Sequence, residues 1–262
     1  MKVAILYICT GKYNQFFADF YASAEKYFLS EVAQRHYFVW TDDKALTKAK
    51  NVTLIHKESA GFPADSLFRF EMFMQVEDEL KKYDYIYFFN SNAVFLQHVG
   101  QEILPDDSGL SMGIWPGQRE KQHPMFYPYE RNRRSLAYVA PYGKNYTYFM
   151  GGVNGGRADC YLQMIRTLHQ NIRDDYHRGI IAKVHDESHI NAYLRTRPCK
   201  KLGREFCLPE EWRRTEDCPK IMLRDKVKID PYFNKGRNHS LWGKAQKGGR
   251  IVINALRWYL KV

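Results

Sequence analysis

Four short apolar runs alternate with two helical patterns in the first 97 residues, and this order limits the folds open to the chain. The runs are rich in β-branched and aromatic residues, as strands buried on both faces of a sheet are. Between the first and second runs, and again between the third and fourth, apolar residues recur every three or four positions, which predicts helices. The order β-α-β-β-α-β predicts an α/β protein with a mostly parallel sheet and helices on both faces. The predicted strands are VAILYIC, HYFVWTDD, VTLIHKE and YDYIYFF.

The second half of the chain is less regular but shows no boundary. Two further strand patterns, GLSMGIWPG and TYFMGGVNGG, precede a long helical pattern over 157–177 and a shorter one over 186–196. No repeat, low-complexity tract or linker interrupts the 262 residues. We therefore expect a single domain.

The positive charge is concentrated at the carboxyl terminus. Forty Lys and Arg against 29 Asp and Glu give a net charge of +11, and residues 224–262 hold ten Lys or Arg and two Asp, hence +8 of it. Such a block predicts an anionic partner. No helix-turn-helix, zinc-finger or RNP pattern is present, so we expect a phosphorylated substrate or an acidic membrane surface rather than nucleic acid. Residues 250–262 could form a helix that either docks on the body or lies on a membrane surface.

The cysteines and the amino terminus predict a reduced compartment. The five cysteines include no Cys-x-x-Cys pair, and Cys199, Cys207 and Cys218 leave a zinc site as an alternative. Met1-Lys2 leads directly into the first strand pattern, without a secretory signal, and no apolar run approaches the length of a membrane span. We expect a cytoplasmic protein that could contact the inner face of the membrane peripherally.

Two polar turns should meet at one edge of the sheet. Thr10-Gly11 follows the first strand and Asn90-Ser91-Asn92 follows the fourth, and ligands of parallel α/β sheets bind beyond the carboxyl ends of the strands. Thr10 could approach a nucleotide and Tyr13 could stack on its base. Each turn taken alone could equally be an ordinary turn that connects two elements and binds no ligand.

The sequence HDESH, residues 185–189, is the densest polar cluster. His185 and His189 would share one helical face, as in zinc proteases, but the glutamate of that motif directly follows its first histidine. The cluster could also be an ordinary polar helix start. The third interpretation is an active-site carboxylate pair, with Asp186 accepting from substrate hydroxyls and Glu187 facing the reacting carbon.

Four glycines lie within six residues of one strand pattern, YFMGGVNGG. Gly151, Gly152, Gly155 and Gly156 predict either a bulge or the close approach of a ligand. The residues themselves do not decide between these two interpretations.

Five collinear motifs between Tyr13 and Leu194 resemble the family 6 retaining glycosyltransferases, the relatives of the blood-group A and B transferases and the α-1,3-galactosyltransferase. The motifs are SLFRFEM, HVGQEIL, YERNRRSLAY, YFMGGVNGG and HDESHINAYL. The resemblance implies a GT-A fold with a Rossmann-like sheet and α-1,3 transfer of galactose or N-acetylgalactosamine from a UDP-sugar to a galactoside. It implies a nucleotide-binding half (about 1–97), a donor and acceptor half (about 98–223) and a basic segment (about 224–262) that closes over the phosphates.

The resemblance also assigns roles to individual residues. Glu187 falls on the catalytic glutamate of the family and Asp186 on the aspartate that binds the donor sugar. Arg69 matches the arginine that holds that sugar, and Tyr13 matches a tyrosine beside the uridine. Met150-Gly151-Gly152 matches the donor-selecting triplet, in which a glycine at the third position favours UDP-N-acetylgalactosamine (UDP-GalNAc). Trp115 and His185 are expected to contact the acceptor.

Three departures from the family pattern change what we expect. Asn90 and Asn92 stand where the family has the aspartates of its metal-binding Asp-x-Asp motif, and Val184 stands where the mammalian relatives have a tryptophan that packs on the acceptor. The third departure is the absence of the amino-terminal anchor of the mammalian enzymes, which favours a bacterial member. Amides are poor ligands for a hard cation. We therefore expect catalysis without Mn²⁺ or another cofactor, with Lys235 and Arg237 offsetting the charge of the departing diphosphate.

Several alternatives stay open. The donor could be UDP-galactose, and the chain could be an inactive glycan-binding relative. A fucosylated galactoside resembling the blood-group H structure is the expected acceptor, with plain lactose-type galactosides as the alternative and a lipid-linked acceptor conceivable for either. Retention could proceed through a covalent intermediate on Glu187 or through departure and attack on one face.

Overall fold

A seven-stranded sheet forms the centre of the protein. The computed structural model describes residues 1–118, 122–234 and 258–259. Its strands, in chain order, are β1 (Lys2–Ile8), β2 (Gln34–Thr41), β3 (Val52–His56), β4 (Tyr85–Phe89), β5 (Ala93–Phe95), β6 (Leu110–Ile114), β7 (Phe149–Arg157), β8 (Lys200–Leu202), β9 (Leu208–Pro209) and β10 (Ile221–Leu223). The large sheet has the order β3-β2-β1-β4-β7-β6-β8, and a small sheet has the order β5-β10-β9.

The direction of the strands confirms the predicted mostly parallel α/β sheet. β3, β2, β1 and β4 run parallel to one another, as do β6 and β8. β7 is inserted between β4 and β6 and runs antiparallel to both. Strands from the amino-terminal and the central parts of the chain therefore share one sheet, as the prediction of a single domain requires.

Helices cover both faces of the sheet. They are α1 (Phe17–Tyr27), α2 (Ala64–Leu67), α3 (Arg69–Met74), α4 (Glu77–Leu80), α5 (Ala158–His177), α6 (His185–Tyr193) and α7 (Lys226–Ile229). Short 3-10 turns add Gly11–Phe16, Gln101–Ile103, Pro124–Phe126, Arg204–Phe206, Glu210–Trp212 and Pro231–Phe233. The strands read as continuous apolar runs because alternate residues enter different cores: Ile5 packs in the core on one face and Leu6 in the core on the other.

The sequence predicts one continuous helix between the third and fourth strand patterns, over residues 65–82, and this prediction is wrong. The chain forms α2, α3 and α4 instead, with non-helical backbone at Phe68 (φ −96°, ψ 17°) and at Val76 (φ −119°, ψ 20°). The ring of Phe68 packs edge-on against Tyr176 of α5, 5.1 Å away. This tertiary contact accompanies the break, and Arg69 becomes the first residue of α3, with its side chain buried.

The two ends of the basic segment lie on different parts of the body. β10 pairs with β5, directly after the Asn90-Ser91-Asn92 turn, and leads into α7. Trp258 is buried and its indole N–H donates to the carbonyl of Val139 over 2.7 Å, which favours the docked interpretation for this part of the segment. Residues 235–257 and 260–262 lie outside the described residues, so the predicted membrane contact stays a prediction. Among the residues that the structure describes, no helix has the length and apolar character needed to cross a bilayer.

The second glycine pair of β7 is explained by packing. A Cβ on Gly155 would lie 2.3 Å from Cδ1 of Tyr87 and 2.5 Å from the carbonyl oxygen of Ile86 in β4. A Cβ on Gly156 would lie 2.3 Å from the carbonyl oxygen of Gly109. These glycines allow β4 and the turn before β6 to approach β7, so for this pair the close approach is that of the protein's own backbone.

We expect Gly155→Ala to destabilise the fold by about 1–3 kcal/mol, because the added methyl group overpacks against backbone that cannot move aside. Urea unfolding followed by circular dichroism measures this free energy. Gly203→Ala is the matched control, because the closest atoms to its added Cβ belong to the carboxylate of Glu205, a side chain that can rotate away. Equal stabilities of the two variants would contradict the packing explanation.

Candidate functional site

A cleft of about 390 Å³ opens at the carboxyl ends of β1 and β4. Four residues predicted to bind the donor line it: Thr10, Tyr13, Arg69 and Asn90. They come from three separate parts of the sequence, and the parallel sheet brings the two turns together because its strand ends share one edge. The sequence-based prediction that the turns after β1 and β4 meet is therefore confirmed.

One side of the cleft is aromatic and cationic. The ring of Tyr13 lies 4.8 Å from that of Phe233, and Lys226 Nζ lies 5.0 Å from the centre of the Tyr13 ring. Sequence reasoning missed Phe233 and Lys226, because only the pairing of β10 with β5 brings the basic segment to this edge. Lys12 also lines the cleft and forms an ion pair of 3.4 Å with Asp230. This wall combines rings for stacking with positive charge for an anion.

The opposite end of the site is a buried ion pair between Arg69 and Asp186. Their closest nitrogen and oxygen atoms are 3.0 Å apart, and each side chain is under 10% exposed. The guanidinium also donates to the carbonyl oxygen of Gly151 over 2.8 Å and lies over the ring of Phe88. Burial raises the pKa of Asp186 and the charge of Arg69 opposes that rise. Arg69 Nε has no hydrogen-bond partner among the described residues, which leaves a buried donor available to a ligand.

Glu187 is held at both of its carboxylate oxygens. Oε1 accepts from the hydroxyl of Tyr148 and Oε2 from the backbone N–H of Gly151, each over 2.6 Å. Burial raises the pKa of Glu187 to about 7, although both hydrogen bonds act in the opposite direction. Tyr148 was not singled out in the sequence, since nothing in the pattern of β7 distinguishes it from a core tyrosine. The two bonds fix the direction in which this carboxylate points, and the raised pKa places its ionisation near neutrality.

Asn191 explains why α6 presents Glu187 to β7. Its amide nitrogen donates to the carbonyl oxygens of Phe149 and Glu187, and its amide oxygen accepts from the backbone N–H of Phe149. The side chain of Asn191 thus extends the hydrogen bonding of β7 onto the helix. A polar residue that joins two elements in this way fixes their relative position more strictly than apolar packing does.

The two candidate acceptor residues lie on different sides. Trp115 contacts the ring of Tyr148, the partner of Glu187, at 6.0 Å and the ring of Trp212 at the same distance. His185 instead packs edge-on against Phe62, whose side chain is 81% exposed, at 4.9 Å. Trp115 therefore lies near the catalytic candidate, and His185 lies at the exposed mouth beside Phe62, which lines the cleft.

The histidines of HDESH do not form a metal site in the described part of the chain. His189 is buried beside Asp175, 3.7 Å away, and burial lowers its pKa to about 4. In residues 1–118, 122–234 and 258–259, no group of three or more His, Cys, Asp or Glu could hold a metal ion. Of the three interpretations of this motif, the geometry favours the carboxylate pair. Lys235 and Arg237, the predicted phosphate ligands, lie outside the described residues.

The three residues of the triplet Met150-Gly151-Gly152 make different contacts. Met150 packs its side chain in the core on the Tyr7 face of the sheet. Gly151 offers its backbone to Glu187 and Arg69. Gly152 accepts a hydrogen bond from the backbone N–H of Asn90 over 2.8 Å.

Asn90 and Asn92 are not equivalent. Asn90 lines the cleft, as predicted for a donor ligand. Asn92 is buried, and its side-chain amide nitrogen donates to the carbonyl oxygen of Arg224 over 2.7 Å. In return, the backbone N–H of Arg224 donates to the main-chain carbonyl oxygen of Asn92 over 2.9 Å. Asn92 thus joins the turn to β10 and to the segment that carries Lys226. Its predicted contact with the donor stays a prediction.

We expect Asn92→Asp to lower the free energy of unfolding by about 1–3 kcal/mol, because it replaces a buried donor by a carboxylate that faces the carbonyl of Arg224. Urea titration at pH 7 measures the change. Asn90→Asp, which makes the same chemical change at a cleft-facing position of the same turn, is the control and should cost less. If Asn92→Asp were as stable as the natural protein, the structural role of Asn92 would be wrong.

Comparison with known proteins agrees with this geometry. The sequence profile of glycosyltransferase family 6 matches residues 1–230. The O-antigen biosynthesis glycosyltransferase WbnI of Escherichia coli is 33% identical over 236 residues, covering 89% of this chain and 99% of WbnI. The globoside alpha-1,3-N-acetylgalactosaminyltransferase 1 of Gallus gallus is 27% identical over 248 residues, covering 91% of this chain and 70% of that protein. The histo-blood group ABO system transferase 2 of Rattus norvegicus is 29% identical over 216 residues, covering 78% of this chain and 62% of that protein.

The resemblance seen in the five motifs is therefore confirmed, and the mixed sheet with its helices is a GT-A type fold. A nucleotide-sugar donor and a glycan acceptor follow from membership of the family. Because the family profile spans most of the chain and WbnI is similar over nearly its whole length, the chain belongs to glycosyltransferase family 6.

Proposed function

We propose that this protein transfers N-acetylgalactosamine from UDP-GalNAc to a galactoside in α-1,3 linkage, with retention of configuration and without a divalent metal. The observation that carries the proposal is the doubly bonded Glu187 carboxylate beside the buried Arg69–Asp186 pair at the end of the cleft. The name of the chicken relative specifies an alpha-1,3-N-acetylgalactosaminyltransferase. The small residue at position 152 favours the same donor.

The proposed chemistry assigns one task to each group. Glu187, ionised, stabilises the positive charge that develops at the anomeric carbon as UDP departs, either by bonding to that carbon or by facing it. Tyr148 and the N–H of Gly151 keep the carboxylate in place. Asp186 accepts hydrogen bonds from hydroxyls of the donor sugar, and the free Nε–H of Arg69 donates to them.

The residues at the Asp-x-Asp position do not fit a divalent metal. Asn90 offers an amide, and the amide nitrogen of Asn92 is already bonded to the carbonyl of Arg224. Asp65, a carboxylate that lines the cleft, is bonded to Lys57 and to the N–H groups of Ala60 and Gly61. We therefore propose that cations of the protein offset the diphosphate charge. Lys226 and Lys12 line the cleft. In this proposal, Lys235 and Arg237 of the basic segment also bind the diphosphate.

The proposed acceptor is a galactoside that stacks on Trp115, next to Tyr148 and Glu187. A fucosyl-α-1,2-galactose unit is the expected terminus, with lactose-type galactosides as the alternative. WbnI comes from Escherichia coli, which favours a bacterial source for this chain too. We also propose that the acceptor can be lipid-linked. We also propose a cytoplasmic location, with peripheral membrane contact through the basic segment.

A second candidate function is α-1,3 transfer of galactose from UDP-galactose. It is favoured by the amide of Asn90, which lies against Gly152 and takes up part of the space that a glycine would leave beside the donor. An inactive glycan-binding relative is less well supported, because the carboxylate, its two hydrogen-bond donors and the Arg69–Asp186 pair form one connected arrangement.

A panel of donors and acceptors, each with EDTA and with Mn²⁺, tests the proposal. We expect the highest transfer from UDP-GalNAc to a fucosylated galactoside, equal in EDTA and in Mn²⁺. Strict dependence on Mn²⁺ would refute the metal-free proposal. Binding of glycans without transfer or donor hydrolysis would favour the inactive relative.

In the same panel Lys226→Gln should lower kcat/KM by roughly 10–100-fold, the effect of losing one charge-assisted bond. Lys228→Gln is the control and should not lower kcat/KM, because Lys228 is bonded to Glu210.

The raised pKa of Glu187 predicts a pH dependence. Since the ionised carboxylate is the active form, kcat/KM should rise with pH through a midpoint near 7. Glu187→Gln should lose roughly 10²–10³-fold in kcat, show no such rise and still bind UDP. Burial disfavours the ionised side chain, so the free energy of unfolding of the natural protein, relative to Glu187→Gln, should fall as the pH rises from 4.5, the ordinary pKa of a glutamate, to about 7. A near-normal rate for Glu187→Gln would overturn the assignment.

A further inference from the structure

Gly152 faces the side chain of Asn90 across the pairing of β4 with β7. A Cβ built on Gly152 would lie 2.6 Å from Nδ2 of Asn90 and 3.0 Å from its Cγ. Separations below about 3 Å are far inside van der Waals contact, which begins near 3.5 Å. The volume that a side chain at position 152 would occupy is therefore already taken by the amide of Asn90.

Gly151 has different surroundings. A Cβ on Gly151 would lie 3.4 Å from Arg69, from Asp186 and from Glu187, which is ordinary contact. Successive residues of a strand point to opposite faces. Position 151 consequently borders the reacting carboxylates, whereas the three atoms nearest to a Cβ at position 152 belong to Asn90 and to the end of the Met150 side chain.

Asn90 lines the cleft together with Arg69 and Phe88, and neither Gly151 nor Gly152 is among the described residues that line it. A molecule in the cleft therefore meets the amide of Asn90 where it would otherwise meet residue 152. An amide presents both a donor and an acceptor, so it can distinguish a hydroxyl from an acetamido group by hydrogen bonding as well as by size.

We infer that Asn90 is the donor-selecting side chain of this protein, and that Gly152 is a glycine because Asn90 requires its space. The inference rests on the proposed function, since selection means discrimination between UDP-GalNAc and UDP-galactose. It replaces the expectation that the size of residue 152 sets the donor on its own. It also joins the Asn-x-Asn turn and the Met-Gly-Gly triplet into one element.

The packing arm of the test needs no donor. Gly152→Ala should displace the Asn90 amide at little cost in melting temperature, because the end of this side chain can rotate aside, and a crystal structure of the variant should show Asn90 in a different rotamer. Asn90→Ala/Gly152→Ala should melt at the same temperature as Asn90→Ala, because truncation of Asn90 vacates the space. If Asn90 keeps its rotamer in Gly152→Ala, the spatial conflict between the two positions is refuted.

The selectivity arm compares kcat/KM for UDP-GalNAc and UDP-galactose by release of UDP. Asn90→Ala should change the ratio of the two values by about tenfold or more, and the double variant should keep the ratio of Asn90→Ala. Gly152→Ala alone should lower both values. An unchanged ratio in Asn90→Ala, together with a shifted ratio in an equally stable Gly152→Ala, would overturn the inference.

The two arms separate this inference from the proposed function. If the natural protein turns over neither donor, the proposed function fails, and the role of Asn90 in donor selection fails with it. The rotamer of Asn90 in Gly152→Ala would still decide whether Asn90 needs glycine at position 152 to keep its place. If the natural protein is active and Asn90→Ala keeps its donor ratio, the proposed function stands and the inference alone is wrong.

Discussion

The backbone of Gly151 joins Glu187 to the Arg69–Asp186 pair, the two buried parts of the candidate active site. Its N–H donates to Glu187, and its carbonyl oxygen accepts from Arg69 and from the amide nitrogen of Asn154. Asn154 is itself fixed by the hydroxyl of Tyr161 on α5. One residue of β7 thus sets the distance between the carboxylate of α6 and the guanidinium of α3. Because both bonds are made by main-chain atoms, the arrangement depends on the path of the strand and not on a side chain.

Much of the fold and part of the site follow from local sequence. Alternating apolar runs and helical patterns predicted the sheet, and the rule for strand ends brought Thr10, Tyr13 and Asn90 to one cleft. The break in the helix at Phe68 could not be predicted, since it accompanies a contact with Tyr176, far away in sequence. Local patterns carry periodicity, whereas such breaks reflect tertiary packing that overrides propensity.

The site residues that were missed share a physical cause. Phe233 and Lys226 reach the cleft through the pairing of β10 with β5, and Tyr148, directly before β7, reaches Glu187 of α6. Neither partner of such a pair marks the other in the sequence. Asn90 and Asn92 also show what local sequence does not specify. They are identical residues in one turn, but Asn90 faces the cleft and Asn92 faces the carbonyl group of Arg224, because side chains two residues apart in an irregular turn need not share a face.

The contacts of the two asparagines have a consequence for how such a site can evolve. The amide of Asn90 lies where the Cβ of a side chain at position 152 would be, and Asn92 supplies a buried donor to the carbonyl oxygen of Arg224. An aspartate at either position alone would add charge without completing a metal site, and at Asn92 it would also remove that donor. A change from an amide turn to a metal-binding turn therefore requires several substitutions that are favourable only together.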